Sequence, residues 1–176
     1  MKKTLLVLSL LLAALLAGAQ NIESQFVQTK TLKASGKKIV SEGTFSFTAP
    51  DQLAMLYSKP DGDYFIIDGP LVRTMTKGTE VNLDTSKNPQ AGKLRATLLN
   101  CIVGKMEQVA ADNDGELSVT EKGGVKTATV TARQNLPKGY SKVSAQYRKD
   151  GVCTLLVLEE FGGIVTEYKL KDIQVK

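Results

Sequence analysis

The chain of 176 residues contains no histidine and no tryptophan, and it has two cysteines. Without histidine there is no Ser-His or Cys-His nucleophile pair, no imidazole general base and no His-containing zinc site. The cysteines, Cys101 and Cys153, lie far apart in the sequence, so the C-x-x-C spacing of a structural zinc site or a thioredoxin-type redox pair is also missing. Asp and Glu are plentiful, but no spacing marks a catalytic pair. These absences argue against an enzyme and call for no metal or cofactor. A strong excess of one charge is lacking as well: 23 Lys and Arg stand against 18 Asp and Glu, dispersed along the chain. With few aromatics and no RNA-binding or helix-turn-helix signature, nucleic acid is not an expected partner. A mildly basic surface suits acidic patches on a partner or anionic lipid headgroups.

Long hydrophobic runs are scarce too. The one present, Leu5 to Leu16, follows the basic Met1-Lys2-Lys3 and precedes Ala17-Gly18-Ala19, a small-residue cleavage pattern. The run is short of the roughly 20 residues that span a bilayer. Residues 1–19 therefore read as a cleaved secretory signal peptide and 20–176 as a single domain in an exported compartment. No cysteine near the cleavage point offers a site for lipid attachment. In an exported chain Cys101 and Cys153 are equally consistent with a disulfide, worth roughly 4 kcal/mol by loop closure, and with two buried thiols.

Short runs of strand character recur over Gln25–Leu32, Lys38–Phe47, Gln52–Tyr57, Tyr64–Asp68, Leu71–Thr76 and Glu80–Leu83. Turn signals such as "SG", "APD" and "DGP" separate them, and connections this short make neighbouring strands antiparallel. Between Pro89 and about Ala110 the period changes: Leu94, Leu98, Cys101 and Ile102 fall at helical spacing, Pro89 suits a helix entry and Gly104 a break. Strands resume over Glu116–Lys122, Val125–Ala132, Tyr140–Lys149, Gly151–Glu160 and Ile164–Val175. The expected fold is mainly β, a single antiparallel sheet so long that it must curl strongly, with helical material to plug its concave face. In "ADNDGELSVTE" Asp112, Asp114, Gly115 and Glu121 match part of a calcium loop. The first ligand position is Ala110 and a strand follows, so a plain turn is the better reading.

Phe45, Phe47, Leu53, Met55, Tyr57, Phe65 and Ile67 share parity within their strands and are expected to form most of one apolar sheet face. Such a stripe is ordinarily core. "YFIIDG", however, is bulky on both parities, which calls for cover on both sides.

The order "FVQTK", "SEGTFSFTAPDQLAMLYSKP", "YFIIDGPLVRTMT" resembles the opening of the LolA family of periplasmic lipoprotein carriers: F-x-Q, then G-x-(F/L)-x-(F/V)-x-x-P, an aromatic-x-x-P and a closing Asp-Gly. The resemblance covers about Gln25 to Thr76 and continues more loosely to "LKDIQVK". It implies an incomplete antiparallel β-barrel whose hydrophobic concave side is covered by a helical lid. It also implies a carrier that takes the acyl chains of a lipoprotein, or another lipidated cargo, from an inner-membrane release transporter to an outer-membrane acceptor. On that basis the seven face residues partly line a lipid-binding cavity, and Leu94, Leu98, Cys101 and Ile102 are the inward side of the lid. Two departures are expected to loosen the lid. No amphipathic helix fits between the cleavage site and Phe26, and an arginine that commonly precedes the second motif's Pro falls here at Ala49, so Arg73 or Arg95 would replace it only through a different geometry. The rival expectation is a non-enzymatic scaffold that binds a protein through the concave face.

Overall fold

The computed structural model describes residues 21–135 and 138–176; the expected signal peptide lies outside them. Six strands come first, β1 (Ile22–Leu32), β2 (Lys37–Thr48), β3 (Gln52–Lys59), β4 (Asp61–Asp68), β5 (Leu71–Thr76) and β6 (Thr79–Asp84). Two helices follow, α1 (Pro89–Ile102) and α2 (Met106–Asp112). The chain ends with β7 (Gly115–Lys122), β8 (Val125–Ala132), β9 (Tyr140–Tyr147), β10 (Cys153–Glu160) and β11 (Ile164–Val175).

All eleven strands form one sheet in the order β6-β5-β4-β3-β2-β1-β11-β10-β9-β8-β7, and every neighbouring pair is antiparallel. Two meanders are therefore joined at the centre by pairing of β1 with β11. The edges are β6 and β7, and the segment that connects these edges is the helical one. Residues of β4, β5 and β6 line the same cavity as residues of β9 and β10, so the sheet curls until distant strands face one another, yet the edges do not pair. The result is an incomplete barrel with a helical lid.

Local chemistry sets the lid's ends. The Asn88 side chain accepts a hydrogen bond from the Ala91 amide at 2.9 Å, and Pro89 occupies the first turn. At the other end Gly104 takes a left-handed φ of 75°, a conformation natural to glycine. It separates α1 from α2, whose end is tied back by Asn113 donating to the Val109 carbonyl at 2.8 Å.

Register places the expected face residues together. Phe47 pairs with Leu53 and Phe45 with Met55 across β2–β3, and Leu53 pairs with Ile67 and Met55 with Phe65 across β3–β4. Each pair lies on the concave side, where Ile22, Phe26 and Val72 continue the row.

Candidate functional site

The concave face is covered by α1. Phe45, Phe47, Leu53, Met55 and Ile67 are buried, and so are Leu98, Cys101 and Ile102 of the helix. Tyr57, Phe65 and Leu94 are half-buried against the same cluster. All seven face residues and all four lid residues thus belong to one apolar body, but they do not surround one open space. Beneath α1 the void among Phe45, Leu53, Met55, Leu98 and Ile102 amounts to about 10 Å³, no more than a single water would occupy. The helix fills the centre of the curl.

The open cavity lies to one side, between the start of α1, strands β4 to β6 and the rim of β9 and β10. It measures about 400 Å³, in the range of small-molecule sites. Of the face residues Phe65 opens onto it, and of the lid residues Leu94 does. Val72, Leu83 and Tyr140 complete its apolar lining, with Lys93 and Glu160 among its polar groups. Leu83 and Tyr140 lay within the strands expected from sequence, but nothing local marked them as partners, because they converge only when the sheet curls. Burial raises the Tyr140 hydroxyl's pKa, so the ring presents a neutral group. A groove of comparable size, about 440 Å³, lies on the opposite side of β1 to β3 around Thr44, Ser46 and Ala54. Its lining is mixed: Glu23, Gln25, Asp172 and Gln174 stand beside the hydroxyls, and Leu56 and Phe45 also border it.

Polar ties between lid and sheet are few. From α1, Arg95 donates through Nε to the Gly69 carbonyl at 2.5 Å and through Nη2 to Asp51 Oδ2 at 3.1 Å. One side chain thereby bridges the β2–β3 and β4–β5 turns at the rim. Its neighbour in that rim is Ala49, and the two border one groove. The position expected to lack a lock does lack it on the sheet, and the guanidinium comes from the lid instead. Arg73 does not take part: it faces away from α1, opposite Ile66 and Asn82 on the outer side. A second tie is buried, where the Tyr147 hydroxyl donates to the Cys101 carbonyl at 2.8 Å. That bond satisfies a carbonyl of the helix's last turn.

Cys101 and Cys153 are both free and buried. Burial pushes the Cys153 thiol up to about 12 and the Cys101 thiol higher still, with Cys153 adding to the rise at Cys101. Neither is a thiolate near neutral pH, so neither is a poised nucleophile. The stretch that partly matched a calcium loop is spent otherwise. Asp112 accepts from Gln108 at 2.7 Å, Asp114 pairs with Arg133 at 3.4 Å, and Glu121 stands at the far end of β7.

A single antiparallel sheet curled into an unclosed barrel, with a helix over its apolar hollow, makes this an open-barrel protein. Residues 17–176 match the family model described as outer membrane lipoprotein carrier protein LolA, and the chain belongs to this family. Members of the family are periplasmic carriers. Comparison with curated protein sequences finds no match. Among solved structures, a LolA superfamily protein from Nitrosomonas europaea is similar at 7% identity and a TM-score of 0.40, over 90% of this chain and 87% of that one. A DUF1329 family protein from Desulfovibrio piger is similar at 11% identity and 0.45, over 89% and 85%. The MucA/MucB complex of Pseudomonas aeruginosa is similar at 13% identity and 0.47, over 90% of this chain and 53% of that one.

Proposed function

We propose that the protein is a periplasmic carrier of acylated cargo, lipoproteins first, which holds an acyl chain between the concave face and α1. The observation that carries the reading is the relation of lid to sheet: a hollow lined by large apolar side chains is closed by one 14-residue helix tied at the rim by a single arginine. In water an acyl chain costs about 0.8 kcal/mol per CH₂, so a carrier must give it an equivalent apolar surface. The cavity at Phe65, Leu83 and Leu94 is the entrance. As the chain advances it displaces Leu98 and Ile102 from Phe45, Leu53 and Met55, exchanging one apolar contact for another at small net cost.

On this reading residues 1–19 are the export signal and 20–176 the working domain. Cargo arrives from an inner-membrane release transporter and leaves to an outer-membrane acceptor. No catalysis is proposed. The rival, a protein-binding scaffold, draws on the close packing beneath α1, which resembles a finished core.

Native mass spectrometry of protein purified from cells, together with binding of a fluorescent fatty acid, separates the two. The carrier retains lipid and binds the probe, and Leu94→Glu at the entrance abolishes binding while the fold persists. Lipid-free protein that ignores the probe would leave the scaffold as the better reading.

A further inference from the structure

The hairpin of β1 and β2 ends in a tip unlike the rest of the surface. Residues 30–41 carry four lysines, Lys30, Lys33, Lys37 and Lys38, and no acid. From Lys33 to Val40 every residue is exposed. Ile39 at 46% and Val40 at 56% are adjacent and so point to opposite faces of the strand. Both are in water because the tip has little cover: β3 pairs with β2 only from Glu42 onward, leaving the first residues of β2 with β1 alone. Glu159 of β10 is paired with Lys33, and Glu42, farther along β2, with Lys59. Lys37 and Lys38 belong to no ion pair among the described residues.

The tip also stands at the same rim as the cavity entrance. Lys33 donates its amide to the Gly163 carbonyl at 2.9 Å, and in that same turn Phe161 donates to the Gly139 carbonyl at 3.2 Å. Gly139, with its neighbour Tyr140 and with Glu160, lines the cavity.

From this placement we infer that the β1–β2 tip is a membrane-docking element, which seats Ile39 and Val40 at the headgroup boundary of an anionic bilayer with Lys37 and Lys38 on lipid phosphates. Exposed β-branched residues flanked by free lysines have the two chemistries of that boundary, apolar burial and attraction to negative charge. An acidic protein partner fits less well. Stable protein interfaces draw on roughly 20–30 residues a side, whereas the exposed tip offers eight residues. Docking in this orientation brings the cavity entrance to the lipid surface. That consequence rests on the carrier reading; the docking itself does not.

The test is co-sedimentation of the exported protein with vesicles of phosphatidylglycerol and phosphatidylethanolamine, against phosphatidylcholine vesicles. Partition should favour the anionic vesicles and fall as salt is raised. Lys37→Gln with Lys38→Gln should lower it about thirtyfold, from the attraction each lysine supplies near an anionic surface. Ile39→Ser with Val40→Ser should lower it severalfold and leave the salt dependence. Since these side chains are exposed, both double variants should melt as the parent does and bind a fluorescent fatty acid equally well. Equal partition to neutral and anionic vesicles, parental binding by both variants, or cross-linking of the tip to an acidic protein with vesicles left unbound would each overturn the inference. Docking by a protein that ignores the fatty acid supports the inference and counts against the carrier reading alone.

Discussion

Phe26 and Tyr57 meet edge to face across Gly43, their ring centroids 5.1 Å apart and their planes at 86°. Gly43 on β2 pairs with Phe26 of β1 on one side and Tyr57 of β3 on the other, beside a register shift that brings the β3 backbone close. A Cβ at Gly43 would stand 2.0 Å from the Leu56 carbonyl oxygen. Gln28, the next inward residue after Phe26, lies beside the hydroxyls of Tyr57 and Tyr168. Burial raises both hydroxyls' pKa values, and Gln28 partly opposes the rise. The F-x-Q pattern and the later glycine are thus one packed unit.

Gly43→Ala should therefore cost about 3 kcal/mol, because the methyl meets backbone that cannot move aside. The melting temperature should fall by roughly 6–12 °C. Tyr57→Phe, which keeps the ring contact, should cost much less. A Gly43→Ala protein that melts like the parent would show that β3 leaves room for a methyl group at this crossing.

Arg95→Ala should loosen α1 at its middle while leaving the sheet intact. Because the Arg95 and Asp51 side chains keep 24% and 37% of their exposure, solvent screening limits the global loss to about 1 kcal/mol. Amide exchange within α1 should accelerate, and fatty-acid binding should become faster. Arg95→Lys should not restore the parent, since one ammonium cannot reproduce the planar fork that reaches both Gly69 and Asp51. Unchanged exchange in α1 would mean that the apolar face alone holds the lid.

Cys101 provides a reporter of lid movement. With Cys101 at 0% and Cys153 at 1% exposure, a thiol reagent should label the resting protein slowly. In a Cys153→Ala background, labelling of Cys101 should quicken on Arg95→Ala and slow again when the cavity is filled by fatty acid. Labelling as rapid as for an unfolded chain would reject a closed resting lid.

The pH response should be flat near neutrality and appear in alkali. Lacking histidine, the chain has no side chain whose ordinary pKa falls in the neutral range, so the melting temperature should be steady between about pH 6 and 8. Burial raises Cys153 to about 12, and raises Cys101, Tyr57, Tyr140 and Tyr147. These groups lose protons first in the unfolded chain, so the stability they contribute is complete below about pH 9 and is lost as pH climbs toward 12. In the Cys101→Ala, Cys153→Ala double variant the decline should begin later, near the ordinary tyrosine value of about 10. Scans of melting temperature against pH decide this, and a decline beginning at neutral pH would contradict it.

Met55→Glu distinguishes filled from fillable. Met55 faces Leu98 and Ile102 in the nearly void-free centre, where an unpaired carboxylate costs several kcal/mol. If α1 lifts, the carboxylate reaches water, so the expected outcome is a folded sheet with rapid amide exchange in α1 and no fatty-acid binding. Complete unfolding would identify the face as rigid core.

Much of this architecture was written locally. Alternating Phe45 and Phe47, the short turns and the 3.6-residue spacing from Leu94 to Ile102 were enough to specify antiparallel strands, one apolar face and the helical interruption, since each depends on residues a few positions apart. Pro89 and Gly104 marked the ends of α1 because φ preferences are local too. Tertiary structure alone decided the pairing of β1 with β11, which requires the two ends of the domain to meet. It also decided that α1 fills the hollow and leaves the cavity at Phe65 and Leu94, that Arg95 reaches Gly69 and Asp51 from the helix, and that Cys101 and Cys153 remain thiols. Each outcome depends on how far the sheet curls, a sum of small twists over eleven strands that places Leu83 near Tyr140 and Arg95 near Asp51. No short stretch of sequence contains that sum.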